Sequence, residues 1–215
     1  MSIPRSVTHL AATSFALILS IAATAPALAQ EGTPEPGGMV FPVTPDPALC
    51  QVEARTTDEL LALWYTPEGS PVPAATPAPD ATSVRVPLGP RADEATTAAV
   101  TAVVTEVFAC FAGGEFVRAT ALFTDDLTRS FGGEPGTTME DARTFLEASP
   151  VPEVMAEPDQ IIAVTDVMEL SDGRLGAIVV DRSAGQQDAV YVIFENRGDR
   201  WLVAEIIDFA PVDDM

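Results

Sequence analysis

The sequence predicts an α+β protein, with three helices packed on a curved antiparallel sheet and, before them, a Pro-rich tail carrying one short helix. Three observations predict it. Between residues 92 and 150 apolar residues recur at helical spacing, on one face of each segment. After Pro158 the period falls to two, over QIIAVTDVMEL, GRLGAIVVDR, QDAVYVIFEN and RWLVAEIID. The links between those four segments, SDG, SAGQ and NRGD, are short and polar, as in an antiparallel meander.

The chain opens on MSIPRSVTHLAATSFALILSIAATAPALAQ, with Arg5, an apolar run over Phe15–Ile21 and Ala27-Leu28-Ala29. A basic start, an apolar middle and an Ala-x-Ala end predict a secretory signal peptide over residues 1–29, cut between Ala29 and Gln30. The competing expectation is an uncleaved anchor, for which the Ala- and Thr-rich composition and Pro26 are poorly suited. The expected location is therefore secreted or extracytoplasmic, with no stable membrane anchor after cleavage.

Residues 30–47 are rich in Pro and Gly without a period, and 66–90 repeat that composition; both are expected to be extended and mobile, 30–47 as a disordered tail. Between them, within a region 48–91, Thr56 and Glu59 form a capping box before Leu60, Leu63 and Trp64. So short a helix must dock on something. Cys50 and Cys110, the only two cysteines, are expected to pair in an oxidising compartment, clipping that helix to the main domain. On the chain-entropy model such a bridge contributes about 4 kcal/mol. The alternative is one buried thiol and one free.

The main domain is expected over residues 92–215. Its first helix runs through DEATTAAVTAVVTEVFACFAGG, with acidic residues at its N-terminus and Gly113-Gly114 ending it. A second is predicted in EFVRATALFTDD, with Phe116, Ala119, Leu122 and Phe123 on one side. A third is predicted from a capping box at Thr137 and Glu140, with Met139, Ala142 and Leu146 inward and Pro150 stopping it. In the sheet, Val190, Val192 and Phe194 share one face while Tyr191 and Ile193 lie on the other. Both faces are apolar, so the second should be covered, by another subunit or by the Trp64 clip. Arg197-Gly198-Asp199 is expected to be a hairpin turn rather than an adhesion signal.

Three helices before a curved meander, together with Gly114-Glu115-Phe116 and Ala121-Leu122-Phe123-Thr124-Asp125-Asp126, resemble the nuclear transport factor 2-like superfamily over about residues 92–209. That superfamily includes ketosteroid isomerases, scytalone dehydratases and SnoaL-like polyketide cyclases. The resemblance implies an apolar pocket between sheet and helices, and dimerisation through the sheet face. It does not carry catalysis with it. The isomerases' proton-abstracting Asp falls at Phe131, and their oxyanion-hole Tyr at Val107, beside Phe108. Neither residue type can take a proton or donate to an enolate. The dehydratases' His has no counterpart beyond residue 29.

Composition narrows the chemistry further. Thirty-two Asp and Glu stand against 11 basic residues, for a net charge of −21. There is no Lys, and the single His, His9, lies in the expected signal. Nucleic acid is excluded as a partner because its binding needs cationic contacts. Schiff-base chemistry, His general bases and His metal ligands are absent from the inventory. No D-x-D-x-D-G calcium loop occurs, and no cofactor is expected. The remaining polar candidates are Asp125, Asp126, Arg129, Asp166, Tyr191, Glu205 and Asp208. Their ordinary roles are structural: Asp125 and Asp126 are expected to cap a short helical turn, Arg129 to pair with them, and Tyr191 to pack its ring. Phe108, Phe111, Phe123, Phe131, Tyr191 and Trp201 are the candidates to line a pocket, and the same residues could fill a core. The expected function is an exported, non-catalytic binding or accessory domain for a small apolar ligand or a partner. The alternative is an isomerase-, dehydratase- or cyclase-type enzyme with a relocated carboxylate at Asp166 or Asp208.

Overall fold

The computed structural model describes residues 42–73, 89–132, 136–150, 159–183, 185–198 and 200–208, which fall in one compact unit. The expected signal peptide, most of the tail and residues 74–88 lie outside the described residues.

The architecture is α+β, with a four-stranded curved antiparallel sheet in the order β1-β2-β3-β4. The strands are β1 (Gln160–Glu169), β2 (Leu175–Ser183), β3 (Gln186–Arg197) and β4 (Arg200–Asp208). Their alternation and turn chemistry place them where the sequence predicts. Arg197 pairs with Arg200, so Arg197 and Gly198 lie at the tip of the β3–β4 hairpin. Gly198 there takes a φ of +78°, the left-handed conformation that a two-residue loop demands. Asp199 itself lies outside the described residues.

Among the described residues there are five α-helices rather than the four expected: α1 (Thr57–Trp64), α2 (Glu94–Ala112), α3 (Phe116–Ala119), α4 (Asp125–Ser130) and α5 (Met139–Glu147). The extra one comes from the segment predicted as a single second helix. After α3 the chain tightens into a 3-10 turn at Thr120–Leu122, and Phe123 is extended. Thr124 then caps α4 by accepting from the Leu127 N–H. A Thr placed before two aspartates is a strong helix start, and it outcompetes continuation of the apolar stripe. The capping box of α5 sits one residue later than predicted, at Thr138 and Asp141. That shift turns Met139 outward, 37% exposed, while Ala142 and Leu146 remain buried as expected.

The 19-residue helix α2 is apolar and long enough to cross a membrane, but it serves as the core helix. Val100, Val103, Val104 and Val107 pack in one cluster with Ala177, Val179, Val192 and Phe194 of the sheet. Cys50 joins that cluster through its disulfide to Cys110, with α-carbons 4.7 Å apart. A disulfide fits an oxidising environment.

Of the Pro/Gly-rich tail, residues 42–47 are described, and they are tied down. Val43 exchanges two backbone hydrogen bonds of 3.0 Å with Ile161, extending the β1 edge. Helix α1 has the predicted capping box at Thr56 and Glu59. It docks, but not on the sheet's second face. Leu60, Leu61, Trp64 and Tyr65 form a separate cluster with Ala142 and Leu146 of α5. The Trp64 Nε1–H donates to the Thr128 carbonyl at 2.8 Å. Its ring lies so close to Gly132 that an added Cβ would sit 1.9 Å from Trp64 Cγ. Arg55 locks the same corner, donating to the carbonyls of Thr120 (3.1 Å) and Phe123 (2.9 Å) and to Asp125 Oδ1 (2.7 Å).

Part of the sheet's second face is buried within the single chain. Tyr191, Ile193 and Leu170 cluster there, with Ile178 and Ile207 packed around them. The Tyr191 side chain crosses Gly176 on β2, where an added Cβ would meet the phenol oxygen at 1.8 Å. A ring covering a strand glycine shields backbone that would otherwise face water.

Candidate functional site

The sequence candidates divide among three places. Phe108 and Trp201 pack half-buried against the main core. Tyr191 is fully buried on the opposite face, where burial raises its phenol pKa above the ordinary value. Phe111, Phe123 and Phe131 come together, with two residues that sequence reasoning did not select: Phe116 of α3 and Phe145 of α5.

These five phenylalanines form a ladder of ring contacts. Phe111 stands 6.4 Å from both Phe116 and Phe123, centroid to centroid. Phe123 contacts Phe131 at 5.5 Å, and Phe116 contacts Phe131 at 6.4 Å and Phe145 at 5.7 Å, both edge to face. Such spacings are the favourable range for aromatic pairs. The ladder runs from core to surface. Phe123 is 1% exposed, whereas Phe131 is 40% and Phe145 51% exposed. The backbone holds Phe131 there: it is the C-cap of α4, and the next residue, Gly132, is pinned beneath the Trp64 ring.

Phe131, which the resemblance would match to the isomerase base, is thus an exposed aromatic, and Val107 is 7% exposed in the α2 core. The polar candidates have surface partners. Arg129 pairs with Asp126, as expected, but Asp125 pairs with Arg55 instead. Glu205 pairs with Arg174, which Asp172 also holds. Asp166 occupies a bulge in β1 with a φ of +52°, and its carboxylate meets the exposed Arg91 at 3.1 Å. Asp208 is exposed at the end of β4. Among the described residues no group of three or more His, Cys, Asp or Glu could hold a metal ion.

A second cluster lies at the far end of the sheet. Asp181 on β2 is paired directly with Asp188 on β3, where like charges oppose each other. Burial first, then the charges of Asp159 and Asp188, push the Asp181 carboxyl above its ordinary pKa. One buried oxygen of Asp159 has no hydrogen-bond partner among the described residues. Since the folded pKa of Asp181 is raised, ionisation penalises the folded state once the pH exceeds that pKa. The penalty vanishes below the unfolded carboxylate pKa, where both states hold the proton. Asp181→Asn is therefore expected to raise the melting temperature at about pH 8 and to leave it unchanged at about pH 3. Equal melting temperatures at both pH values in thermal denaturation would show that Asp181 carries no such penalty. The capping carboxylates Glu59, Asp93 and Asp141 behave oppositely. Hydrogen bonds from Thr56, Thr96 and Thr138 hold them low, so their contribution is lost as the pH falls.

Comparison with protein-family models, curated proteins and solved structures finds no match for this chain.

Proposed function

We propose that this protein is an exported, non-catalytic binding domain of nuclear transport factor 2-like type, and that its binding surface is the aromatic ladder. The observation that carries this reading is the exposure of Phe131 and Phe145 at the top of a ladder rooted in buried Phe123. Large aromatic rings left in water on a well-packed corner mark places where apolar surface is covered by something else. The rigid backing supplied by Trp64, Gly132 and Arg55 supports the same reading, because a preorganised surface loses little entropy on binding. The disulfide supports export to an oxidising compartment. The ordinary surface ion pairs of Asp166, Asp125 and Asp126 favour a binding role over a catalytic one.

Titration with the neutral, environment-sensitive dye N-phenyl-1-naphthylamine tests it. Saturable fluorescence enhancement is expected for the native protein, weakened about tenfold or more in Phe131→Ser/Phe145→Ser, as two lost aromatic contacts would do. Equal dye binding by native and variant proteins would overturn the assignment.

A further inference from the structure

Resting on that binding surface, we infer that its partner is a basic amphipathic polypeptide segment of another protein. The apolar half of the argument is the exposed pair Phe131 and Phe145, each meeting Phe116 edge to face. The polar half is the surrounding charge. Residues 115–147, which supply three of the ladder's helices, carry seven carboxylates against three arginines. Asp126 and Glu147 border the ladder in sequence, in the first turn of α4 and at the last residue of α5, with side chains 82% and 60% exposed. Arg129 pairs with Asp126 and Arg143 with Glu147, so the anionic character rests on the four carboxylates in excess over the arginines of this span. Arg143 is shared between Asp58 and Glu147, and Arg118 is turned onto the Cys50 carbonyl at 3.0 Å.

An apolar centre on a net-anionic stretch of chain is complementary to a helix carrying leucine-like side chains on one face and Lys or Arg beside them. The same charge disfavours the other occupants. A second copy would bring another chain of net charge −21 against the first, and an anionic lipid surface would be repelled in the same way. The chain's lack of Lys and excess of carboxylates thus select the partner's sign, while the phenylalanines select its apolar face.

A synthetic leucine–lysine amphipathic helix of about four turns is the probe, with a leucine–glutamate helix of the same pattern as control. By calorimetric titration, the native protein is expected to bind the lysine helix saturably and the glutamate helix about tenfold more weakly or less. Phe131→Ser/Phe145→Ser is expected to weaken lysine-helix binding about tenfold. Asp126→Asn/Glu147→Gln should weaken it too, without changing naphthylamine binding. Lysine-helix binding that ignores the Phe substitutions would reduce the interaction to bulk charge and overturn the inference. Equal binding of both helices, or a native dimer that the Phe double variant dissolves, would overturn it as well. Naphthylamine binding that survives any of these outcomes leaves the apolar surface standing and removes only the basic partner. Both Phe side chains are substantially exposed, and a thermal melt of each variant confirms that its fold is intact.

Discussion

Removing the Cys50–Cys110 bridge as Cys50→Ala/Cys110→Ala is expected to lower folding stability by about 4 kcal/mol, the loop-closure contribution for a bridge spanning 60 residues. The loss is expected to appear in urea denaturation as an earlier midpoint. The bridge does more than shorten the unfolded chain. It fixes the start of the clip against α2, where Glu106 Oε1 accepts from the backbone N–H groups of Gln51 (3.0 Å) and Val52 (2.7 Å). Arg118 reaches the Cys50 carbonyl from the other side. If the double variant unfolds within about 1 kcal/mol of the native protein, these hydrogen bonds alone secure the clip, and the entropic argument fails for this chain.

The second large effect is expected at Trp64. Trp64→Ala removes a buried indole from the small core shared by α1 and α5, and takes from the Thr128 carbonyl one of its two donors, leaving the Phe131 N–H at 3.2 Å. Large-to-small replacement of this kind costs about 3–5 kcal/mol, and the lost indole hydrogen bond adds to it. Trp64→Phe separates the two contributions, since it keeps most of the volume and loses the N–H. Its cost is expected to be less than half that of alanine. Because Gly132 lies under the ring, Trp64→Ala should also release Phe131, so naphthylamine binding should weaken alongside stability. Dye binding that stays native while stability falls would show that Phe131 is positioned without Trp64.

The strands were legible because two independent signals agreed: alternation gave the faces, and SDG, SAGQ and NRGD gave the turns. Register was legible too. The β2–β3 loop pairs Ser183 with Gln186, and counting outward from it sets Asp181 against Asp188. That acidic pair could have been found from the sequence by this count. The helices divided differently. Capping boxes located α1 and α5, but the apolar stripe through Phe116 and Phe123 hid the new start at Thr124, although Thr followed by two Asp was in plain view. The proposed binding surface was the least legible. Phe145 falls on the outward side of a helix whose inward face, Ala142 and Leu146, satisfies the periodicity, and periodicity treats an exposed ring as noise. Only tertiary contact with Phe116, across α3 and α5, gives it a neighbour.

The topology also dictates an order of events during synthesis. The four strands are successive neighbours, so each hairpin can close as soon as its second strand emerges. The clip is the reverse case. Residues 42–65 leave the ribosome well before their docking sites, Glu106, Thr120, Thr128 and Ile161, are made. The clip must therefore wait, with Leu60, Leu61 and Trp64 uncovered, until most of the chain has followed. Cys50 waits with it. Because Cys110 is the only other thiol the chain contains, no mispaired isomer of a single molecule can form. The hazard in that interval is cross-linking between neighbouring chains, which grows with the rate of production rather than with any flaw in the folded protein.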